Sequence, residues 1–298
     1  MKRIAWYLLH GAITTLALFI SWTIGGLLGT AIAEMPPSEG DPSLLATRFL
    51  LVSLINAALI TLLTIATSAY RGFNRWLFLV LFVFGIQFFL TQMETLFFLS
   101  AIGMTGSQVA AILVTGLTMA TLTVSASLAA ERMYTPKVSK ALHFPQINMR
   151  GIMRPILILT FVIYPLIYFL FGYFIAWQNP DLRMYYTGSD ELRALSSQFI
   201  YGFIGEGIYP FQILRAFLWL VFSLPVIAMM GVTPGRIVLF ALANAMIPAS
   251  MLLLPNAFMP ASVALSHFYE TATSNFLWGI TLAMLLGRRK NLLQERRP

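Results

Sequence analysis

Two glutamates of this sequence lie inside long apolar runs. Glu94 is in the run 76–101 and Glu270 in the run 261–287. An ionisable group inside a membrane helix is costly, usually faces the interior of the bundle, and marks a functional site by default. Such a carboxylate can bind a charged substrate or exchange a proton with it. Glu94 and Glu270 are therefore candidate binding or proton-transfer residues.

Other polar residues share a helical face with these glutamates, because residues three or four positions apart lie on one side of a helix. At about 1.5 Å rise per residue, Glu94, Arg215, His267 and Glu270 fall at similar depths toward the same membrane face. Arg48 lies nearer that surface and can reach down. The three polar stripes are Gln87–Thr91–Glu94, Gln212–Arg215, and His267–Glu270–Thr271–Ser274. Stripes that meet predict a substrate pocket open to the outside, with Glu94, Arg215, His267, Glu270, Arg48 and Gln87 as its binding residues.

Two other interpretations of these charges are open. Glu94 and Glu270 can pair with Arg215 and Arg48 and act only as interhelical contacts. His267 and Glu270, one helical turn apart, can also join Glu94 as three metal ligands with one open position. The His-x-x-Glu pattern is common by chance, so we predict no metal and no other cofactor. Two close carboxylates need a cation between them if both are charged, and Arg215, alone or together with Arg48, is the candidate.

The elements that position these residues are membrane helices. Of the 298 residues, 58% are hydrophobic and 10% are charged, whereas a soluble domain has about a quarter charged residues. The first run is too long for a signal peptide, whose apolar region has about 7–15 residues, and is expected to be an uncleaved span. We predict one polytopic all-α domain over 1–298 with eight transmembrane helices, each near the ~20 residues needed to cross. Their bounds are about 4–33, 44–70, 76–101, 107–130, 151–177, 211–231, 236–254 and 261–287.

The longest polar stretch, 178–210, contains one further amphipathic pattern. Leu192, Leu195, Phe199 and Phe203 recur at helical spacing. The residues Ser189–Asp190–Glu191 before them suit a helix start. The pattern is too short and too charged to cross a membrane, so it predicts an interfacial helix in this loop.

The distribution of basic residues predicts the orientation. With the N-terminus inside, 15 of the 19 Lys and Arg residues fall on the inner face and 4 on the outer half. Cytoplasmic loops carry such an excess of positive charge. Both termini are therefore predicted to be cytoplasmic, in the plasma (inner) membrane. The formal net charge of +8 then needs no nucleic-acid partner.

Three functions remain open at this level. The leading expectation is a substrate-binding transporter or permease-like carrier with membrane lipids and a small-molecule or lipid substrate as partners. The second is an enzyme that acts on a lipid or lipid-linked substrate in the outer leaflet, with Glu94 or Glu270 as acid or base. The third is a structural or assembly protein without a ligand. Because the chain has no cysteine, thiol chemistry and disulfides are excluded.

Overall fold

The structure is a computed structural model that describes residues 2–37, 41–134, 149–255 and 257–287. Its described residues form helices and no β-strand. The long helices and one shorter helix of eight residues follow one another through the chain. They are α1 (Lys2–Thr30), α2 (Pro42–Ala66), α3 (Phe73–Phe97), α4 (Gly106–Tyr134), α5 (Met149–Gln178), α6 (Pro180–Thr187), α7 (Ile208–Met230), α8 (Pro234–Leu253) and α9 (Ala261–Leu286).

Seven of these helices, α1 to α5, α7 and α8, are long and apolar enough to cross a membrane. Large apolar side chains on the outside of the bundle remain exposed, among them Leu8, Leu16 and Leu27 of α1. A helical protein with this surface requires a lipid environment. The chain is therefore an all-α integral membrane protein, as its composition predicts.

The helix α9 differs from these seven. It has 26 residues, which is long enough to cross, but it carries the polar residues His267, Glu270 and Ser274. These polar residues lower its hydropathy, and α9 is not among the seven helices that meet the hydropathy criterion for a span. The predicted count of eight spans therefore rests on α9.

Several predicted boundaries are corrected. The first two helices end at Thr30 and Ala66, earlier than predicted, and α4 continues to Tyr134 instead of ending before Glu131. In the stretch 178–210, the helix does not begin at Ser189–Glu191, because residues 189–194 have no regular structure. Helical structure there consists of α6 and of the consecutive segments Leu195–Ser197 and Gln198–Gly205.

Small residues allow the closest helix contacts. A Cβ atom on Gly25 would lie 2.7 Å from the Thr115 carbonyl oxygen, so α1 packs directly against α4. A Cβ on Gly279 would lie 2.7 Å from Ala241 Cα, which brings α9 equally close to α8. Helices in membranes associate through such small-residue interfaces. The packing fixes the rotation of α9 and therefore the direction in which its polar stripe faces.

Candidate functional site

The helix α3 positions the first polar stripe through a π-helical segment, Gly85–Phe89. A Cβ on Gly85 would overlap the Phe222 ring at 2.4 Å, so glycine is needed for α7 to approach α3 here. Gln87, in the same segment, is 3% exposed, and its Nε2 donates to Asn56 Oδ1 at 3.2 Å. Asn56 in turn donates to Ser250 Oγ at 2.8 Å. Single π-helical turns are frequent at functional sites, and this one orients a buried amide.

Glu94 and Arg215 form an ion pair between α3 and α7. Arg215 Nη2 lies 2.8 Å from Glu94 Oε2, with the two side chains 8% and 29% exposed. Tyr168 of α5 donates its hydroxyl to Glu94 Oε1 at 2.9 Å. The Arg215 guanidinium lies 5.8 Å from the ring centroid of Trp219, a cation–π distance. The pairing that the sequence suggested is therefore present, and two aromatic side chains reinforce it.

His267 and Glu270 face each other across one turn of α9. His267 Nδ1 lies 3.6 Å from Glu270 Oε2, and Thr271 and Ser274 hydroxyls lie 3.3 and 3.5 Å from the Glu270 carboxylate. Tyr186 of α6 lies 3.1 Å from His267 Nε2. Burial, with a smaller contribution from the Glu94 charge, raises the pKa of Tyr186 well above its usual range. Tyr186 therefore keeps its proton, and its hydroxyl shares a hydrogen bond with His267 Nε2 whose direction depends on the His267 tautomer.

These residues line one cavity of about 1000 Å³. It lies where α1 and α3 end and α4 begins, since Thr30, Thr95 and Ala111 also line it. Five of the six sequence-predicted site residues are in its wall: Gln87, Glu94, Arg215, His267 and Glu270. Arg48 does not line this cavity, and its Nη1 donates instead to the Leu253 carbonyl oxygen at 3.3 Å. Both glutamates thus face the same space, and Arg215 is the arginine that meets one of them.

The alternative metal set is not assembled. Within the described ranges, no three His, Cys, Asp or Glu side chains are grouped closely enough to hold a metal ion. His267 and Glu270 face each other, but Glu94 is turned toward Arg215 and Tyr168. The proposed ligands therefore belong to two separate clusters of the cavity wall.

The stretch 178–210 covers the cavity. Arg183, which is buried, donates to the carbonyl oxygens of Asp190 and Trp177. Tyr173 of α5 donates to the Arg193 carbonyl oxygen at 2.9 Å. Of the predicted amphipathic pattern, Leu192 and Phe203 line the cavity. Phe203 is buried, whereas Leu192, Leu195 and Phe199 are exposed. Hydrogen bonds to α5 thus fix this segment against the bundle.

The tyrosines of the cavity were missed by the sequence-based prediction. Tyr164 and Tyr168 of α5 and Tyr186 of α6 all line it. The i, i+4 spacing of Tyr164 and Tyr168 is a signal that places both hydroxyl-bearing rings on one face of α5. The position of Tyr186 has no such signal, because it depends on how α6 packs against α9.

A second polar cluster lies at the opposite end of the bundle, and it corrects the predicted loop positions of Arg75 and Glu131. Arg75 Nη1 lies 2.8 Å from Glu131 Oε2, with the side chains 3% and 0% exposed. Arg75 also donates to Thr67 Oγ1 at 3.2 Å and to the Thr64 carbonyl oxygen. It therefore binds a carbonyl that the last turn of α2 leaves without an intrahelical partner.

His10 joins this inner cluster from α1. It is 1% exposed, and its ring nitrogens lie 2.8 Å from Ser127 Oγ and 2.8 Å from the Tyr134 hydroxyl. Ser127 Oγ also lies 3.1 Å from Thr64 Oγ1. Four helices, α1 to α4, thus share one buried hydrogen-bonded network. The residues of this network are joined by buried hydrogen bonds and do not line the cavity, which favours a structural role for this cluster over an open binding site.

Fold and site together define a class: an all-α integral membrane protein with a mostly apolar, aromatic-lined cavity that contains a few charged side chains at one end of its helix bundle. Comparison with protein-family models, with curated proteins and with solved structures finds no match to this chain.

Proposed function

We propose that the chain is a transporter or permease-like carrier whose substrate site is the cavity around Glu94, Arg215, His267 and Glu270. The observation that carries this proposal is the cavity of about 1000 Å³ inside the bundle, with charged groups from three helices in its wall. Ligand sites in proteins are concave, mostly apolar and furnished with a few convergent polar groups. A structural role alone needs no such space, because interhelical ion pairs form equally well in a packed core.

We also propose that α9 is an eighth span and that both termini are cytoplasmic in the plasma (inner) membrane. The excess of basic residues on one side supports this orientation. In it, the cavity opens to the outside, and the stretch 178–210, with α6 and the helical residues 195–205, lies at the outer membrane surface. The Arg75–Glu131 cluster then lies at the cytoplasmic end.

The orientation is testable with single cysteines, since the chain has none of its own. Asp181→Cys, at an exposed position of α6, is expected to react with an impermeant maleimide added to intact cells. Asn74→Cys, exposed at the start of α3, is expected to react only after the cells are opened. Asn291→Cys, in the basic tail of the sequence, decides whether α9 crosses. External labelling at Asn291 would contradict the eight-span topology, whereas protection until lysis supports it.

The substrate proposal is testable by filling the cavity. A side chain added at Gly172 of α5 meets no atom within 4 Å of its Cβ, and Gly172 lines the cavity. We expect Gly172→Trp to lose a small molecule or lipid that the wild-type chain retains through purification, as measured by native mass spectrometry. Gly11→Trp is the matched control, because Gly11 is equally open and lies in α1 away from the cavity.

The identified compound is then offered to proteoliposomes that contain the chain. Accumulation of the unchanged compound supports a carrier. Conversion of the compound without movement across the membrane would contradict it and favour the lipid-directed enzyme. Retention of the same masses by Gly172→Trp and by Gly11→Trp would contradict a ligand site in this cavity.

A further inference from the structure

The described wall of the cavity carries more negative than positive side chains. Four carboxylates and two guanidinium groups line it, together with the imidazole of His267. A low-dielectric cavity with an excess of one sign attracts ligands of the opposite sign. The charged lining residues are Glu94, Glu191, Glu206 and Glu270 against Arg193 and Arg215.

The two intramembrane glutamates differ in how their charges are balanced. Glu94 has Arg215 at 2.8 Å and the Tyr168 hydroxyl at 2.9 Å. Glu270 is only 9% exposed, yet no Lys or Arg of the described chain forms an ion pair with it. Its contacts are two hydroxyls and the His267 ring. A buried carboxylate without a full counter-charge is costly, and a cationic ligand would supply that charge.

Amide oxygens in the same wall also lack donors. Gln87 Oε1 and Gln92 Oε1 are buried and have no hydrogen-bond partner among the described residues. The Gln87 nitrogen is already bound to Asn56, so its oxygen is the atom left for a ligand. An unpartnered buried acceptor keeps its desolvation cost. Ligand N–H groups are the donors that would satisfy these oxygens.

One buried atom of the residues that line the cavity is a donor that lacks an acceptor among the described residues. Arg215 Nε is a buried donor that has no acceptor in the described structure. Its guanidinium, however, is charge-paired with Glu94 and lies 5.8 Å from the Trp219 ring centroid. The pair leaves no net positive charge for an anionic ligand to neutralise.

Aromatic side chains make up much of the remaining wall. Tyr164, Tyr168, Tyr186 and Trp219 line the cavity beside the two glutamates. The negative faces of aromatic rings attract ammonium groups, and their area suits an apolar ligand body. Charge, acceptors and aromatic rings thus favour the same ligand chemistry.

We propose that the cavity takes an organic cation, with an ammonium head bound to Glu270 and an aromatic or aliphatic body among the tyrosines. This inference rests on the proposed function, because it names the substrate class of the same site. Glu270 acts as the counter-ion of the ammonium head, and the Glu94–Arg215 pair forms a separate, charge-balanced part of the wall.

The test compares three probes of nearly equal size that differ in charge: 3,3-diphenylpropylammonium, 3,3-diphenylpropanol and 3,3-diphenylpropionate. The full chain is placed in nanodiscs of phosphatidylcholine, and binding is followed by tryptophan fluorescence, with empty nanodiscs subtracted. We expect saturable binding of the ammonium compound at least tenfold tighter than that of the carboxylate. Tenfold corresponds to about 1.4 kcal/mol. Glu270→Gln should remove most of this preference.

Two variants keep the result interpretable. Glu270→Asp retains the charge and is expected to bind the ammonium compound within about threefold of wild type, a change of less than 1 kcal/mol. Asp181→Asn removes an exposed carboxylate outside the cavity and is expected to change nothing. Equal loss in Glu270→Asp and Glu270→Gln would overturn the counter-ion role of Glu270.

The outcomes separate this inference from the proposed function. Tighter binding of the carboxylate than of the ammonium compound overturns the cation inference but leaves a ligand site in place. Saturable binding of none of the three probes also overturns the cation inference. The proposed function is contradicted by a different result, namely that Gly172→Trp retains the same bound compounds as the wild type in native mass spectrometry.

Discussion

Glu94→Gln is expected to destabilise the bundle by about 3 kcal/mol, near the lower end of the cost of breaking a buried ion pair. The substitution leaves the Arg215 guanidinium, 8% exposed, without its carboxylate. An arginine side chain does not lose its proton in proteins, so the buried guanidinium keeps its charge. We expect Arg215→Met to cost less, because Glu94 is 29% exposed and keeps the Tyr168 hydrogen bond. SDS-induced unfolding followed by tryptophan fluorescence measures both.

The double variant Glu94→Gln, Arg215→Met isolates the interaction. Since it removes both charges, it is expected to be more stable than Glu94→Gln alone, with a coupling free energy on the order of 1–3 kcal/mol. Asp181→Asn, at an exposed position, serves as the control. Additive effects of the two single substitutions would show that the pair contributes nothing to the fold.

Arg75→Met is expected to have the largest effect on stability, about 3–5 kcal/mol. Arg75 and Glu131 are buried more completely than Glu94 and Arg215 are, with 3% and 0% exposure. The substitution also removes the donors to Thr67 and to the Thr64 carbonyl at the end of α2. Buried groups that lose such partners keep their full desolvation cost. Unfolding in SDS, measured as above, gives the change in free energy.

The control for Arg75 is Arg132, which follows Glu131 in the chain and is exposed at the end of α4. Arg132→Met also removes one inner positive charge but is expected to change stability by no more than about 0.5 kcal/mol. The double variant Arg75→Met, Glu131→Leu should recover most of the loss, because apolar replacement of a whole buried pair is often neutral. If Arg75→Met and Arg132→Met are equally stable, the inner pair does not stabilise the bundle.

Much of the helical layout is predictable because it depends on local pattern. The apolar run 211–231 corresponds to Ile208–Met230, and the run 261–287 to Ala261–Leu286. Shifts of a few residues arise where polar atoms find partners inside the bundle. The helix α4 extends past residue 130 because Glu131 is neutralised by Arg75, which the sequence order alone does not reveal.

The cavity wall was predictable in part for a related reason. Residues at spacings of three and four must lie on one helix face, and an intramembrane charge must face inward. These two constraints identify Gln87, Glu94, Arg215, His267 and Glu270 without any tertiary information, and all five line the cavity. Arg48 was predicted to lie nearer the membrane surface and to reach down, but its side chain donates to the Leu253 carbonyl oxygen instead.

By itself, the sequence determined that this protein is a helical membrane protein and predicted which of its charges lie inside apolar runs, because hydropathy and helical period are properties of short segments. Only the tertiary structure decided which charges meet. Glu94 pairs with Arg215, Arg75 pairs with Glu131, and Tyr186 faces His267 because close contacts such as Gly85 on Phe222 and Gly279 on Ala241 set the helix rotations. These contacts join residues more than a hundred positions apart in some cases and less than forty in others. The partner of a buried charge is therefore determined by packing. Leaving the charge unpaired in an apolar bundle is costly, and the helix rotations determine which side chain is close enough to pair with it.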